Sequence, residues 1–214
     1  MDGLEQRSYS FEIRAEMNEN DVGVVTGRPI VYDSKTNLGW FDEIIERGAL
    51  NGTDLRDVRF LVNHDVSRIP LARSRNNNAN STMQLTVDDN GMGIRVNLDV
   101  KNNSEARNLY SAIERGDITG MSFMFSIDDE EWSELESDHP LRHIRKIGSV
   151  VEVSAVTFPA YESTEISVRN KEALESAKLA LENAKRSQEQ TLDNGGLSEL
   201  ELAKAKFEAL MKVR

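Results

Sequence analysis

The sequence predicts an α+β fold, mainly antiparallel β-structure with a few flanking helices, followed by a C-terminal helical appendage. Three observations lead there. Short runs with apolar residues at alternate positions fill most of the first 169 residues, one amphipathic helical stretch interrupts them, and from Lys171 the composition turns to Ala, Leu, Glu, Lys and Gln.

Taken in order, "RSYSFEIRAEM" alternates Tyr9, Phe11 and Ile13 with polar neighbours, and "DVGVVTGRPIVYD" reads as a second strand. "VRFLVNH" sets Val58, Phe60 and Val62 on one face, and "GIRVNLDV" sets Ile94, Val96, Leu98 and Val100 against Arg95, Asn97 and Asp99. Such alternation belongs to half-buried strands of an antiparallel sheet or barrel. In "NSEARNLYSAIERGD" the apolar positions Ala106, Leu109, Tyr110 and Ile113 recur at helical spacing, and Gly116 suits the residue after the helix. "GDITGMSFMFSI" is a further strand. The acidic "DDEEWSELESDH" reads as a solvated loop or hairpin tip, and two strands, "LRHIRKIG" and "SVVEVSAVTF", follow before Pro159.

Residues 170–214 read as a helical tail. Leu174, Ala177, Leu181 and Ala184 make one stripe, Asn194-Gly195-Gly196 breaks it, and Ser198 and Glu201 stand at capping-box spacing before a second helix striped by Leu200, Ala203, Phe207, Leu210 and Met211. Two helices split at Asn194–Gly196 are expected.

The bulk properties narrow the chemistry. With 214 residues the chain can bury a substantial core, and its formal charge of −11 argues against nucleic acid as a partner, since backbone binding needs a basic stripe. The absence of cysteine excludes disulfides, thiolate nucleophiles and zinc-thiolate sites. No apolar run approaches the ~18 residues of a membrane span, and the N-terminus has no apolar leader core, so a soluble intracellular protein is expected, with no membrane partner. Catalysis must come from oxygen and imidazole.

Ser122 alternates with Met121, Phe123, Phe125 and Ile127, so its hydroxyl faces away from that apolar row, beside Met124 and Ser126, where it can look into a cleft. A serine nucleophile needs a base to take its proton. His139 and His143 are four apart, but Pro140 breaks a helix there and no third ligand accompanies them, so no metal is expected. His64 lies two residues beyond Val62, on the apolar face where the strand runs out; it reads either as a structural histidine or as a rigidly held base. Glu152 sits mid-strand among Val150, Val151 and Val153. A buried carboxylate there needs a partner: either Arg142 or Arg145 in a structural ion pair, or the imidazole of His64.

Together these stretches resemble the prohead (capsid maturation) serine proteases of tailed phages, a family distantly similar to the herpesvirus capsid protease. The residues that carry the likeness, from about residue 7 to 169, are the opening strand "RSYSFEIRA", then "VTGRPIVYDSKTNLGWFDEIIERGAL", "FLVNHD", "PLARS", "TVDDNGMGIRVNLD", "EARNLYSAIERGDITGMSFMF" and "VVEVSAVTFPAYESTEISVR". The resemblance implies a herpesvirus-protease-like antiparallel β-barrel over residues 1–169. It also implies a serine endopeptidase that removes the scaffolding region of the phage major capsid protein, and digests itself, inside the procapsid assembling in the bacterial cytoplasm. It needs no cofactor.

Carried over, the family's histidine falls on His64 and its serine on Ser122. Glu152 is the third member, with Asp65 as competitor, whose side chain in an extended strand points away from the His64 face. Oxyanion donors are sought in the backbone around Ser122 and in Arg73 or Arg145. Two departures bear on substrate fit: Met124 and Ala72 stand where the family commonly has glycine. A homodimer or larger oligomer is compatible with the sequence, and the tail is read as a dock for the scaffold, with a dimerisation hairpin or a segment trimmed by self-cleavage as the alternatives. The competing readings are a catalytically silent capsid-assembly or scaffold-binding module of the same fold, and a small-molecule esterase, which lacks the G-x-S-x-G elbow.

Overall fold

The computed structural model describes residues 4–9, 13–158 and 170–187. The chain divides into two compact units, Met1–Asn170 and Lys171–Arg214.

The first unit is α+β, built mostly of strands. One sheet holds β1 (Leu4–Tyr9), β4 (Thr36–Asn37), β5 (Asp42–Ile45), β6 (Asp57–Val62), β7 (Ala72–Arg75), β10 (Gly120–Ser133) and β11 (Leu141–Val156); the other holds β2 (Ile13–Met17), β3 (Gly23–Val31), β8 (Met83–Asp88) and β9 (Gly91–Leu98). The order in the first is β1-β10-β11-β5-β4, with β6 attached to β11 and β7 to β6; in the second it is β2-β3-β9-β8. Most pairings are antiparallel, but β11 runs parallel to both β5 and β6. Among the described residues the strands form two sheets and no closed ring.

The strand alternation in the sequence has the expected cause. Ile94, Val96 and Leu98 of β9 are buried while Arg95 and Asn97 are exposed, and Val25 and Ile30 of β3 join the same apolar core. Helix α1 (Ser104–Glu114) covers that core with Ala106, Leu109, Tyr110 and Ile113. Its N-terminus is fixed by Asn103, whose side-chain oxygen accepts from the amides of Glu105 at 2.9 Å and Ala106 at 3.2 Å. Gly116, at φ +79°, ends it in the left-handed conformation that glycine adopts without strain.

Two expectations are corrected. The acidic stretch is not simply a loop, because residues 128–133 continue β10, and the two strands expected after it are a single strand, β11. The physical reason is cross-strand charge. Glu130 pairs with Arg142, Glu131 with Arg145 and Asp128 with Lys146 at 3.2 Å, so the acidic strand is neutralised by the basic one opposite it. Register shifts between Met124 and Glu130 bend the resulting ribbon.

Residues 170–187 are helical, as the first apolar stripe of the tail predicts. The break at Asn194–Gly196 and the second tail helix lie outside the described residues. No helix among the described residues is long and apolar enough to cross a membrane.

Candidate active site

β10 and β11 bring the candidate residues onto one face through their register. Antiparallel partners point to the same side of a sheet, so Ser8, Ser122 and Ser154 form one row across β1, β10 and β11, and Gln6, Met124 and Glu152 form the next. Parallel pairing of β6 with β11 extends these rows to Leu61 and Arg59.

His64 arrives by another route than strand alternation. The buried face of β6 fails to alternate at its end, where Phe60 and Leu61 are both buried, and the strand stops at Val62. Asn63 and His64 then adopt left-handed backbones, φ +50° and +59°, which turn the chain back over β11. The turn is clamped at three points. The Asn63 amide donates to the Ala155 carbonyl at 3.0 Å, the Thr157 amide donates to the Asn63 side-chain oxygen at 2.9 Å, and the His64 amide donates to Ser154 Oγ at 3.1 Å.

So placed, His64 Nδ1 lies 2.5 Å from Glu152 Oε1. The other carboxylate oxygen, Oε2, accepts from the Ser154 hydroxyl at 2.6 Å. Glu152 and Ser154 are buried, and the imidazole is nearly so. A carboxylate in this position is compensated at both oxygens, which is what its burial requires. It meets neither Arg142, which binds Glu5, Glu43 and Glu130, nor Arg145, which binds Glu131. His64 Nε2 is buried and has no hydrogen-bond partner among the described residues. Asp65 turns away, accepting from the Ser67 amide and hydroxyl and pairing with Arg68.

Ser122 departs from expectation in one respect. Its face is the one predicted, but instead of opening into a cleft it is wholly buried, with β1 paired along the edge of β10 beside it. Its hydroxyl donates to the Arg7 carbonyl at 2.6 Å and accepts from the Ser8 hydroxyl at 2.8 Å. A cleft of about 420 Å³ opens beside it, lined by Leu4, Arg59, Leu61, Val66, Met124 and Glu152 among others. Met124, flagged by the sequence, is a wall of that cleft. Of the side chains considered as oxyanion donors, Arg73 is held by Asp57 at 2.5 Å and 2.7 Å, and Arg145 by Glu131.

β1 is fastened from beneath. Arg7 makes a two-pronged pair with buried Glu43, at 2.6 Å and 2.7 Å, and also pairs with Glu5, while Arg142 reaches Glu5 at 2.8 Å and Glu43 at 3.3 Å. Burial pushes the Glu5 carboxyl upward, but the guanidiniums of Arg7 and Arg142 outweigh it and hold it below the usual carboxylate range. Among the described residues no group of acidic or histidine side chains has the arrangement of a metal site. His139 instead meets Asp42 at 2.8 Å, and His143 meets Glu46 at 3.0 Å.

Sequence reading overlooked Ser154 and Arg7. For Ser154 a signal existed, two residues from Glu152 on the same strand face. For Arg7 nothing local distinguishes it from other exposed-looking arginines.

A fold of strands around one core, with a histidine–carboxylate pair and a serine on one sheet face, is the setting of a serine hydrolase. The profile of the caudovirus prohead serine proteases matches residues 9–178, and the chain belongs to that family. Among solved structures, the bacteriophage T4 capsid assembly protease aligns over 71% of this chain and 98% of its own, with 11% identity and a TM-score of 0.35. No curated protein sequence matches the chain.

Proposed function

We propose that the chain is a serine endopeptidase in which Ser122 is the nucleophile, His64 the general base and Glu152 the group that orients and charges the imidazole. The observation that carries this reading is the short contact between His64 Nδ1 and Glu152 Oε1, combined with a buried Nε2 that lacks a partner among the described residues. Glu152 keeps the proton on Nδ1, which leaves the Nε2 lone pair directed inward as the acceptor for a hydroxyl proton. Ser122, once its hydroxyl is released from the Arg7 carbonyl, gives that proton to Nε2 as Oγ attacks the scissile carbonyl. The imidazolium then protonates the leaving amine, and water repeats the sequence on the acyl-enzyme. With Arg73 and Arg145 engaged elsewhere, backbone amides near Ser122 are the remaining candidates for the oxyanion.

The substrate is the scaffolding region of the phage major capsid protein, cut inside the assembling procapsid in the host cytoplasm, together with the protease itself. Family membership supports this reading. Residues 1–169 form the catalytic domain, and the two sheets sharing one apolar core are consistent with an opened form of the herpesvirus-protease-like barrel. Residues 170–214 are assigned to docking on the scaffold.

The test is coexpression of the chain, with and without Ser122→Ala, alongside its capsid protein, followed by mass measurement of the products. Loss of all processing in the variant is expected. Equal processing by both removes Ser122 as nucleophile, and no processing by either favours the catalytically silent assembly module.

A further inference from the structure

Resting on the reading of the chain as an endopeptidase, we infer that a basic groove on the catalytic sheet face holds an acidic stretch of the polypeptide substrate, about four or more residues from the scissile bond. The groove has a volume of about 710 Å³ and lies along β6 and β7, where Arg56, Arg59, Arg73 and Arg75 wall it against only two acids, Asp54 and Asp57. In a chain of formal charge −11, this gathering of cations is a local reversal of sign. Its place follows from register. Arg59 stands opposite Glu152 on β11 and opposite Arg73 on β7, so Met124, Glu152, Arg59 and Arg73 continue one row across β10, β11, β6 and β7. Arg75 stands opposite Asp57 in the neighbouring row of the same face. Val151, which has no partner on β10 at the register shift after Met124, walls both this groove and the cleft beside Ser122, and so does Arg59.

The internal partners do not saturate the arginines. Asp57 accepts from Nε and Nη2 of Arg73 at 2.5 Å and 2.7 Å and from Nη2 of Arg59 at 2.9 Å, so one carboxylate is shared by two guanidiniums. Asp54 accepts from Arg56 at 2.9 Å and 2.6 Å. The side chain of Arg75 has neither a hydrogen bond nor an ion pair among the described residues. Each guanidinium carries five N–H donors, which leaves donors in the cluster for incoming carboxylates. Arg73 is three interstrand spacings from Ser122, about 14 Å, a span that about four residues of extended chain cover. The groove therefore reads side chains remote from the bond that is cut and touches none of the reacting atoms. Nucleic acid fits less well, because so small an excess of positive charge releases few counterions, whereas a peptide bound in the cleft passes into the groove by way of Arg59.

Two measurements compare the full chain with Arg75→Ser, Arg75→Glu and, as a control at an exposed arginine beside helix α1, Arg115→Ser. The first is the fluorescence anisotropy of labelled hexaglutamate at about 50 mM salt, with a labelled oligothymidylate of the same charge in parallel. Binding of hexaglutamate is expected to weaken about threefold in Arg75→Ser, about tenfold in Arg75→Glu and less than about twofold in Arg115→Ser, with the oligothymidylate bound no more tightly. The second maps, by mass, the cuts made in a library of proteome-derived peptides. Asp and Glu should be enriched about four or more positions to one side of the cut, and this enrichment should vanish in Arg75→Glu but persist in Arg115→Ser.

Hexaglutamate binding that neither Arg75 substitution changes overturns the proposal, as does a map of cuts with no acidic enrichment at those positions. Absence of saturable hexaglutamate binding by the native chain overturns it whatever the variants do. An oligothymidylate bound about tenfold more tightly than hexaglutamate, and weakened by Arg75→Glu, reassigns the groove to nucleic acid and overturns it too. A native chain that binds hexaglutamate as expected and cuts nothing overturns the endopeptidase reading instead, and leaves the groove as an acidic-peptide site.

Discussion

Replacing Glu152 by glutamine keeps the shape of the side chain and removes its charge. In the native site Oε2 accepts from the Ser154 hydroxyl at 2.6 Å and Oε1 faces His64 Nδ1 at 2.5 Å. Because Ser154 also accepts the His64 amide at 3.1 Å, its hydroxyl proton is available to the residue at 152. The glutamine carbonyl therefore takes the Ser154 side and its NH2 group points at Nδ1. An amide donor there demands an unprotonated Nδ1, so the proton moves to Nε2, the atom that must accept from Ser122. The corresponding tautomer error in a Ser-His-Asp enzyme lowers kcat about 10⁴-fold, or about 5 kcal/mol of barrier.

The assay is the rate of fluorophosphonate modification at Ser122 in both proteins, with a low-field proton spectrum recorded alongside. The strongly deshielded Nδ1 proton expected in the native site should be missing from Glu152→Gln. A folded variant that reacts within about tenfold of the native rate, with the low-field proton retained, refutes the role given to Glu152.

Three further outcomes are expected. Ser154→Ala strips one hydrogen bond from Glu152 and the clamp from the His64 amide, and should slow the same reaction by about 1–3 kcal/mol of barrier, with the pH dependence of the rate displaced as well; a change in thermal stability alone contradicts a positioning role. Glu43→Gln leaves the buried guanidiniums of Arg7 and Arg142 undercompensated, at a cost of about 3 kcal/mol, and should lower Tm in calorimetry by about 6–12 °C for a domain of this size. Acid titration of the urea midpoint should show stability lost as the pH falls from about 4 toward 2. Asp54 and Asp88 are held at about 2 by their hydrogen-bonded partners Arg56 and Arg28. The unfolded chain therefore binds their protons first, the stabilisation is complete above the unfolded value, and Asp88→Asn should flatten the fall.

The sequence carried β3, β9 and α1 well, because each has a local period that burial enforces. It also indicated that Ser122 turns its hydroxyl from the apolar row and that Glu152 needs a partner, since both follow from alternation along a single strand. The way His64 reaches Glu152 was not legible. Counting by twos placed the ring on the face of Val58, Phe60 and Val62, and that expectation is corrected: a pair of left-handed residues held by β11 swings the imidazole to the opposite face, that of Arg59 and Leu61, where Glu152 lies. The continuity of β10 and β11 through their charged halves was hidden too, because an acidic strand looks like a loop until the basic strand opposite it is known. Nor does any local pattern reveal that Arg7 and Ser8 meet Ser122, more than 110 residues away in sequence.

The three-point clamp on the Asn63–His64 turn has a consequence for how the site can be transplanted. All three clamping bonds end on residues 154–157, at the end of the strand that also carries the acid. Base and acid thus share one frame of reference, and the serine lies on the strand hydrogen-bonded to it. Three neighbouring strands, β10, β11 and β6 with its two-residue turn, contain the whole geometry, so they can be moved onto an unrelated sheet as a single cassette, whereas grafting the three residues without Ser154 and Thr157 leaves the imidazole without an address.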